Sequence, residues 1–234
     1  MRSVLKRLIG EERLGYLAYF LRPAARRSWG GPFNGQAVRL DIVRAILDLR
    51  PAFVVESGTF RGTSTAFLAK EVSCPVITIE RNERHFGFAK AQLRGLRNVE
   101  MIKGDSRAAI LALAARRELI DRWPFFYLDA HWNEDLPLGE ELELAFSNWP
   151  SAVAMVDDFK VPDDPGYGFD DYGPGKALTL EYTDVIKRRQ GICAYFPSAR
   201  SDTETGARRG CVVFAGDPVI RDKLDSLPQL RRHS

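Results

Sequence analysis

A buried strand that runs into a glycine turn is the feature that most restricts how this chain folds. Residues 54–65 read Val-Val-Glu-Ser-Gly-Thr-Phe-Arg-Gly-Thr-Ser-Thr. The apolar β-branched run predicts a strand that ends in an acid, and the small hydroxylated residues predict the start of a helix. Glycine at Gly58 and Gly62 lets the backbone approach a ligand closely, and the helix start offers free N–H groups. The segment therefore predicts a strand–turn–helix unit with a ligand-binding turn.

The spacing of these glycines indicates which ligand the turn suits. They follow a G-x-x-x-G pattern, whereas a dinucleotide pyrophosphate normally requires the tighter G-x-G-x-x-G form. The looser spacing favours S-adenosylmethionine (SAM), which has no pyrophosphate; the alternative is a tight connection without a ligand. The candidate cofactor-binding residues of this segment are Glu56, Gly58, Thr59, Gly62, Thr63 and Ser64.

Strand and helix patterns alternate through the middle of the chain, which predicts an α/β fold. Strands are predicted at 53–56, 76–80, 99–103, 125–129 and 152–156, with helices at 63–72, 84–95, 106–117 and 138–147 between them. A long polar loop, a helix at 178–190 and strands at 192–196 and 211–215 follow. The prediction is a doubly wound, seven-stranded, mostly parallel Rossmann-like sheet whose last two strands are antiparallel. The predicted division is an N-terminal helix and loop (1–35), a main domain (36–220) and a basic tail (221–234).

The N-terminal segment is amphipathic. Residues 3–21 place apolar side chains on one helical face and basic side chains opposite. Such a helix packs against its own domain or a second subunit, which would make a homo-oligomer, or it contacts a membrane surface. A second helix is predicted from about 36 to 49.

Composition excludes several classes of protein. The formal charge of +3 comes from basic residues at the two chain ends, and the middle is neutral to acidic, which argues against nucleic acid as a partner. The three cysteines are widely spaced in apolar surroundings, so we expect reduced thiols, no zinc site and a cytoplasmic protein. No apolar run is long enough to predict a membrane span.

Two further acids follow predicted strands at the edge where a cofactor would bind. Glu80 comes about 20 residues after the glycine turn, the offset at which an acid meets a ribose diol; the alternative is a solvated strand-end acid. Asp105 and Ser106 follow the third strand. Asp105 either accepts a hydrogen bond from an adenine amino group or caps the next helix.

A second cluster follows the fourth and fifth strands, in the motifs Leu-Asp-Ala-His and Val-Asp-Asp-Phe. Asp129, Asp157 and Asp158 cannot share a small pocket without a cation or protons between them. Oxygen ligands favour Mg²⁺, with Mn²⁺ or Ca²⁺ as alternatives. His131 could take a proton from a metal-bound hydroxyl. Alternatively, His131 only hydrogen-bonds the loop, and Asp157 and Asp158 only cap a turn.

With these motifs, residues 30–215 resemble the metal-dependent class I SAM-dependent O-methyltransferases that modify sugar hydroxyls of antibiotics (the macrocin and aminocoumarin type), a group related to the cephalosporin-hydroxylase family. The resemblance implies Mg²⁺ on Asp129, Asp157 and Asp158, with Asp129 also near the cofactor. The family's general base is an Asp two residues beyond the first ligand. This chain has His131 there, which leaves both a base role and a ligand role open.

Three loops complete the predicted site. The segment 160–176 is rich in Gly, Pro, Asp and aromatic residues and predicts a lid over the acceptor. The connection 198–209 could close the other side, with Arg208 or Arg209 meeting an anionic group. By analogy with related enzymes, the loop 31–36 folds toward the cofactor, with Gln36 and Arg39 facing its methionine end.

The sequence thus predicts a SAM-dependent, Mg²⁺-dependent O-methyltransferase that acts on a hydroxyl of a small molecule such as a sugar or glycoside. The alternatives are a metal-independent N- or C-methyltransferase and a non-catalytic scaffold that retains the fold. A nicotinamide dehydrogenase is disfavoured by the glycine spacing.

Overall fold

The computed structural model describes residues 10–26, 30–131 and 135–233. The helices in these ranges are α1 (Glu11–Leu21), α2 (Ala37–Asp48), α3 (Thr63–Glu71), α4 (Glu83–Leu93), α5 (Ser106–Ala114), α6 (Leu138–Asn148), α7 (Leu180–Gln190) and α8 (Pro218–Asp225). The strands are β1 (Phe53–Ser57), β2 (Val76–Glu80), β3 (Val99–Lys103), β4 (Pro124–Leu128), β5 (Val153–Val156), β6 (Cys193–Pro197), β7 (Val212–Ala215) and β8 (Leu230–Arg232).

All eight described strands form one sheet in the order β3-β2-β1-β4-β5-β7-β6-β8. Strands β1 to β5 are parallel to one another. Beyond β5, each strand runs antiparallel to its neighbour: β7 to β5, β6 to β7 and β8 to β6. The chain order reverses beside β1, between β2 on one side and β4 on the other. Ligands of open α/β sheets bind outside the carboxyl ends of strands at such a point, so the glycine turn after β1 lies in the expected place.

Helices cover both faces of the sheet. Alternate side chains of β1 enter two apolar layers, with Val55 in one and Val54 in the other. The first layer includes residues of α5 and α6, and the second includes residues of α2, α3 and α8. Burial on both faces explains why β1, β2, β4 and β5 are nearly continuous apolar runs.

Helix α1 packs closely against α4. The backbone of α1 at Gly15 faces the carbonyl of Arg84, and the backbone of α4 at Gly87 faces the carbonyl of Glu12. A side chain at either glycine would overlap the opposing carbonyl, so glycine is required for this approach. Leu17, with 46% of its surface exposed, lies on the outer side of α1. The first seven residues of the predicted N-terminal helix, 3–9, lie outside the described residues.

The sequence prediction of the fold class is confirmed, and the C-terminal end adds to it. The last two predicted strands are antiparallel, as expected. The segment predicted as a basic tail contains the end of α8 and the strand β8, which pairs with β6 and gives the sheet an eighth strand. Strand β8 is only three residues long, and a segment of that length is too short for its alternation of apolar and polar residues to be recognised in the sequence. None of the described helices has the length and apolar character needed to cross a bilayer.

Substitution of Gly15 by Ala tests the contact between α1 and α4. Alanine favours a helix intrinsically, yet here its methyl group would overlap the Arg84 carbonyl. We expect a loss of about 2 kcal/mol in the free energy of unfolding, measured by urea denaturation, and faster tryptic cleavage at Arg22. Gly95→Ala is the control, since no described atom lies within 4 Å of its added methyl group. Equal stability of the two variants would contradict this packing.

Candidate active site

The turn after β1 has the backbone conformation that its glycines predict. Gly58 and Gly62 have φ values of 88° and 79°, in the left-handed region that favours glycine. A side chain at Gly58 would also overlap the carbonyl of Asp129, so the approach of β1 and β4 by itself requires this glycine. Within the described part of the chain, no group hydrogen-bonds the buried hydroxyl of Thr63 at the start of α3. An unsatisfied hydroxyl beside a helix N-terminus fits a polar ligand at this turn.

Three other residues of the turn are used inside the protein. The carboxyl of Glu56 accepts hydrogen bonds from the hydroxyls of Thr65 and Thr78, and Glu56 is 1% exposed. The Thr59 hydroxyl pairs with that of Thr78 at 2.5 Å. Ser64 accepts a hydrogen bond from the backbone N–H of Phe33 at 3.2 Å. The side chains of Glu56, Thr59 and Ser64 thus form hydrogen bonds within the protein that stabilise the turn. Their direct contact with a cofactor stays a prediction.

Glu80 lies at the carboxyl end of β2, beside the glycine turn. Its Oε2 accepts from the backbone N–H of Phe60 and its Oε1 from that of Asn82, both at 2.7 Å. Burial raises the pKa of this carboxyl. A carboxylate has about four acceptor positions, so two remain for a diol. The structure therefore holds the Glu80 carboxylate beside the glycine turn, and its contact with a ribose diol stays a prediction.

Asp105 caps helix α5, one of the two roles that the sequence allowed. Its Oδ1 accepts from the backbone N–H of Arg107 at 3.0 Å, and Oδ2 pairs with the Arg107 guanidinium at 2.7 Å. The hydrogen bond from this guanidinium lowers the pKa of Asp105 to about 2. Ser106 is buried, and its hydroxyl lies against the carboxyl of Glu141.

Asp157 and Asp158 are adjacent in sequence but have different surroundings. Asp157 is 1% exposed, forms an ion pair with Arg39, and accepts from the Tyr127 hydroxyl at 2.5 Å. It also accepts from the backbone N–H of Asp158 at 2.7 Å. Arg39 and Tyr127 thus already pair with the carboxylate of Asp157, and its role as a metal ligand stays a prediction. Arg39 is 1% exposed in this pair, and its predicted place at the methionine end of the cofactor stays a prediction.

Asp129, His131 and Asp158 come together at the carboxyl ends of β4 and β5. One donor atom from each lies within 4.8 Å of the other two. His131 Nε2 is 3.9 Å from Asp129 Oδ1, and His131 is 5% exposed. No described group forms a hydrogen bond with this nitrogen. The arrangement places an unpartnered imidazole nitrogen beside two carboxylates, a set that suits a divalent cation or proton transfer.

The electrostatics of this cluster follow from its burial and its like charges. Burial, together with the neighbouring charge of Asp158, raises the pKa of Asp129 well above its ordinary value. Burial lowers the pKa of His131, although Asp158 and Asp170 oppose that effect. A neutral imidazole at neutral pH can accept a proton or bind a metal ion.

Two further residues complete the cluster: Asp170, which was not among the predicted site residues, and Arg209, one of the two arginines predicted to meet an anionic group. Asp170 Oδ2 lies 3.9 Å from His131 Nε2 and accepts a hydrogen bond from the Tyr172 hydroxyl. Arg209 donates from Nε to Asp158 Oδ1 at 2.9 Å and also pairs with Asp170. The aspartate- and glycine-rich composition of 160–176 indicated a functional loop, but it did not indicate that Asp170 returns to the ends of the strands.

The predicted lid is partly built into the domain. Tyr167 is 3% exposed and belongs to the apolar core, so its ring is not free to stack on an acceptor. Tyr172 is half-buried, and its hydroxyl, which donates to Asp170, lies 3.4 Å from the backbone carbonyl of His131. The loop 31–36 does lie at the glycine turn, where Phe33 packs against Phe67 and Tyr127.

Solved structures with the same architecture identify the fold. TomG from Streptomyces achromogenes, an O-methyltransferase involved in tomaymycin synthesis and solved with SAM, is 21% identical, with a TM-score of 0.56 over 77% of this chain and 80% of TomG. An O-methyltransferase from Bacillus cereus, solved with S-adenosylhomocysteine (SAH), is 18% identical, with a TM-score of 0.57 over 77% of this chain and 81% of its own. The chain has the fold of the class I SAM-dependent methyltransferases.

The methyltransferase fold extends over most of the chain. A candidate O-methyltransferase from Klebsiella pneumoniae, 17% identical with a TM-score of 0.54, aligns over 92% of this chain and 95% of its own. No protein-family model matches the chain, and no curated protein matches its sequence. The predicted fold is thus confirmed, while the predicted site residues stay predictions.

The same substitution at two adjacent positions tests the roles of Asp157 and Asp158. Asp157→Asn leaves the buried Arg39 guanidinium without its counterion, so we expect a loss of about 3 kcal/mol in the free energy of unfolding. Asp158→Asn removes a partly exposed ion pair and a repulsion, so we expect a change within about 1 kcal/mol. Urea denaturation measures both values. Equal losses would contradict this difference in role between Asp157 and Asp158.

Glu56 should make stability depend on pH. Burial raises its pKa from 4.5 to about 7 in the folded protein. Between these values the folded state holds a proton that the unfolded state has lost, so stability declines as pH rises through this window. Glu56→Gln should remove this part of the decline and stabilise the protein by up to about 3 kcal/mol at pH 8, with little effect at pH 5. Urea denaturation at both pH values measures it, and the exposed Glu118→Gln should leave the profile unchanged.

Proposed function

We propose that the protein is a SAM-dependent O-methyltransferase that acts on a hydroxyl of a small molecule, with a divalent cation at the carboxyl ends of β4 and β5. The observation that carries this proposal is the buried, unpartnered Nε2 of His131 beside the carboxylates of Asp129 and Asp158. An acidic cluster alone would not point to a ligand. A buried nitrogen without a described partner does, because burial of such a group is costly unless something binds it.

The glycine turn is the proposed cofactor site. Gly58 and Gly62 bring the backbone to the switch point of the sheet, and the Thr63 hydroxyl has no described partner there. Glu80 keeps free acceptor positions on the same side of the turn. These groups suit the amino-acid end and the ribose diol of SAM. TomG and the Bacillus cereus enzyme were solved with SAM and SAH, which supports this assignment.

Asp129 and Asp158 are the residues that would hold the cation. Two carboxylates satisfy Mg²⁺ or Mn²⁺, which retain water or substrate oxygens at their other positions. A bound cation would lower the pKa of a coordinated hydroxyl of the acceptor. Asp157 takes no part in this proposal because Arg39 and Tyr127 occupy its carboxylate.

His131 is the proposed proton acceptor. Its Nε2 points at the cluster, and burial keeps the imidazole neutral, so the nitrogen lone pair is available to remove a proton from an acceptor hydroxyl. Tyr172 lies beside His131: its hydroxyl donates to Asp170 and is 3.4 Å from the backbone carbonyl of His131. The remaining contribution of the protein is alignment of the acceptor oxygen with the methyl group.

Calorimetry and methyl transfer test the proposal together. SAH should bind metal-stripped protein, and Mn²⁺ should then give a separate binding heat. Asp158→Asn should weaken Mn²⁺ binding at least about tenfold and leave SAH affinity unchanged. Asp171→Asn, an exposed carboxylate in the adjacent loop, is the matched control and should bind Mn²⁺ normally. Absence of SAH binding would overturn the methyltransferase assignment, and SAH binding without any Mn²⁺ heat would overturn the metal site alone.

His131→Gln separates its two possible roles. If His131 is the base, the variant should keep its Mn²⁺ affinity. Its rate of methyl transfer from labelled SAM to a panel of sugars and catechols should fall about 10²-fold or more. Loss of Mn²⁺ binding equal to that of Asp158→Asn would instead make His131 a ligand. An imidazole ligand favours Mn²⁺ over Mg²⁺ or Ca²⁺.

One observation favours a second candidate, metal-independent methyl transfer. Arg209 already pairs with Asp158 and Asp170 and therefore neutralises part of the acidic cluster without an added cation. In that case methyl transfer would survive complete chelation of divalent ions.

A further inference from the structure

Arg209 is the cation that the structure places directly on the candidate metal site. Its Nε donates to Asp158 Oδ1 at 2.9 Å, and its terminal NH2 pairs with Asp170 Oδ1. Asp158 is also one of the three groups whose donor atoms converge on the site. The guanidinium therefore uses an oxygen of a carboxylate that a divalent ion would need.

The backbone of Arg209 is fixed from the core side of the protein. Its N–H donates to Gln36 Oε1, and its carbonyl accepts from Arg39 NH2 at 2.5 Å. The N–H of Gly210 donates to the carbonyl of Gly168 at 2.8 Å. Gln36 and Arg39 are each 1% exposed. The side chain of Arg209, 26% exposed, thus extends toward the site from a backbone that is hydrogen-bonded on its core side.

The charges of the cluster explain why the guanidinium lies there. Asp129, Asp158 and Asp170 are three acidic side chains gathered around His131, and like charges this close together are unfavourable without a positive charge between them. Arg209 supplies one charge, and its positive charge in turn disfavours a second cation on the same carboxylate.

From this geometry we propose that Arg209 competes with the divalent ion for Asp158. In the metal-free protein Arg209 pairs with Asp158 and Asp170. When the ion binds to Asp129 and Asp158, Arg209 leaves Asp158 and keeps Asp170. The proposal rests on the metal site proposed above, and it makes Arg209 a residue that sets metal affinity.

Affinity of the site for Mn²⁺ tests this role without any activity assay. Arg209→Met should raise Mn²⁺ affinity about tenfold in calorimetry, because the competing charge is removed. Arg209→Lys keeps a charge that cannot bridge two carboxylates and should give an intermediate affinity. Arg208→Met is the matched control, since the Arg208 side chain is exposed, and it should bind Mn²⁺ like the unmodified protein.

Each other outcome is decisive. An unchanged or weaker affinity of Arg209→Met would overturn the competition, and a weaker one would show that Arg209 orients Asp158 for the ion instead. If the unmodified protein binds Mn²⁺ normally but Arg209→Met shows no gain in affinity, the proposed function stands and only the competition is overturned. Absence of Mn²⁺ binding in all variants would overturn both the metal site and this role of Arg209.

A second measurement follows the unmodified protein during the titration and uses a variant only to assign one resonance. The Nε–H group of Arg209 should give a distinct ¹⁵N–¹H resonance, assigned by its disappearance in Arg209→Lys. Titration with diamagnetic Mg²⁺ should shift this resonance and speed its exchange with solvent as the bond to Asp158 breaks. An unchanged resonance at saturating Mg²⁺ would contradict the release of Arg209.

Discussion

The ion pair between Arg39 and Asp157 is the interaction on which the rest of the site depends. Both side chains are 1% exposed, so neither charge could stay buried without the other. The same guanidinium also donates to the carbonyls of Arg209 and Gly210. Helix α2, the end of β5 and the segment before β7 are therefore held together at one point, directly behind the candidate active site.

This pair also decides which acid faces the site. Asp157 turns inward to Arg39, and the backbone at Asp158 takes a φ of 51°, which turns the next carboxylate outward toward Asp129 and His131. Asp tolerates this left-handed conformation better than most residues do. The two adjacent aspartates thus divide two tasks: one balances a buried charge in the scaffold, and the other is available to a ligand.

How far sequence could predict this arrangement follows from the range over which each signal acts. The strand and helix patterns, the glycine turn and the acids at the strand ends are local signals, so the sequence could predict them. Parallel topology brings the carboxyl ends of the strands to one edge, so their proximity could be predicted as well. The sequence could not predict which of Asp157 and Asp158 faces the site, because that depends on the ion pair with Arg39, in a helix distant in sequence. Asp170 and Arg209 lie in irregular segments whose path is set by tertiary contacts such as the pairing of Gly168 with Gly210. Asp105 left two roles open, and the structure shows the helix cap.

The two arginines of the site differ in what their burial permits. Arg39 has exchanged water for an aspartate and two carbonyls, and separation from Asp157 would leave an unpaired charge in the core, so it is confined to one arrangement. Arg209 is partly exposed and shares its charge between Asp158 and Asp170, so water can replace either partner at small cost. A scaffold that fixes one guanidinium and leaves the other exchangeable keeps the acids in place while their counterion changes. That combination is what a site needs if it is to be stable both with and without a bound cation.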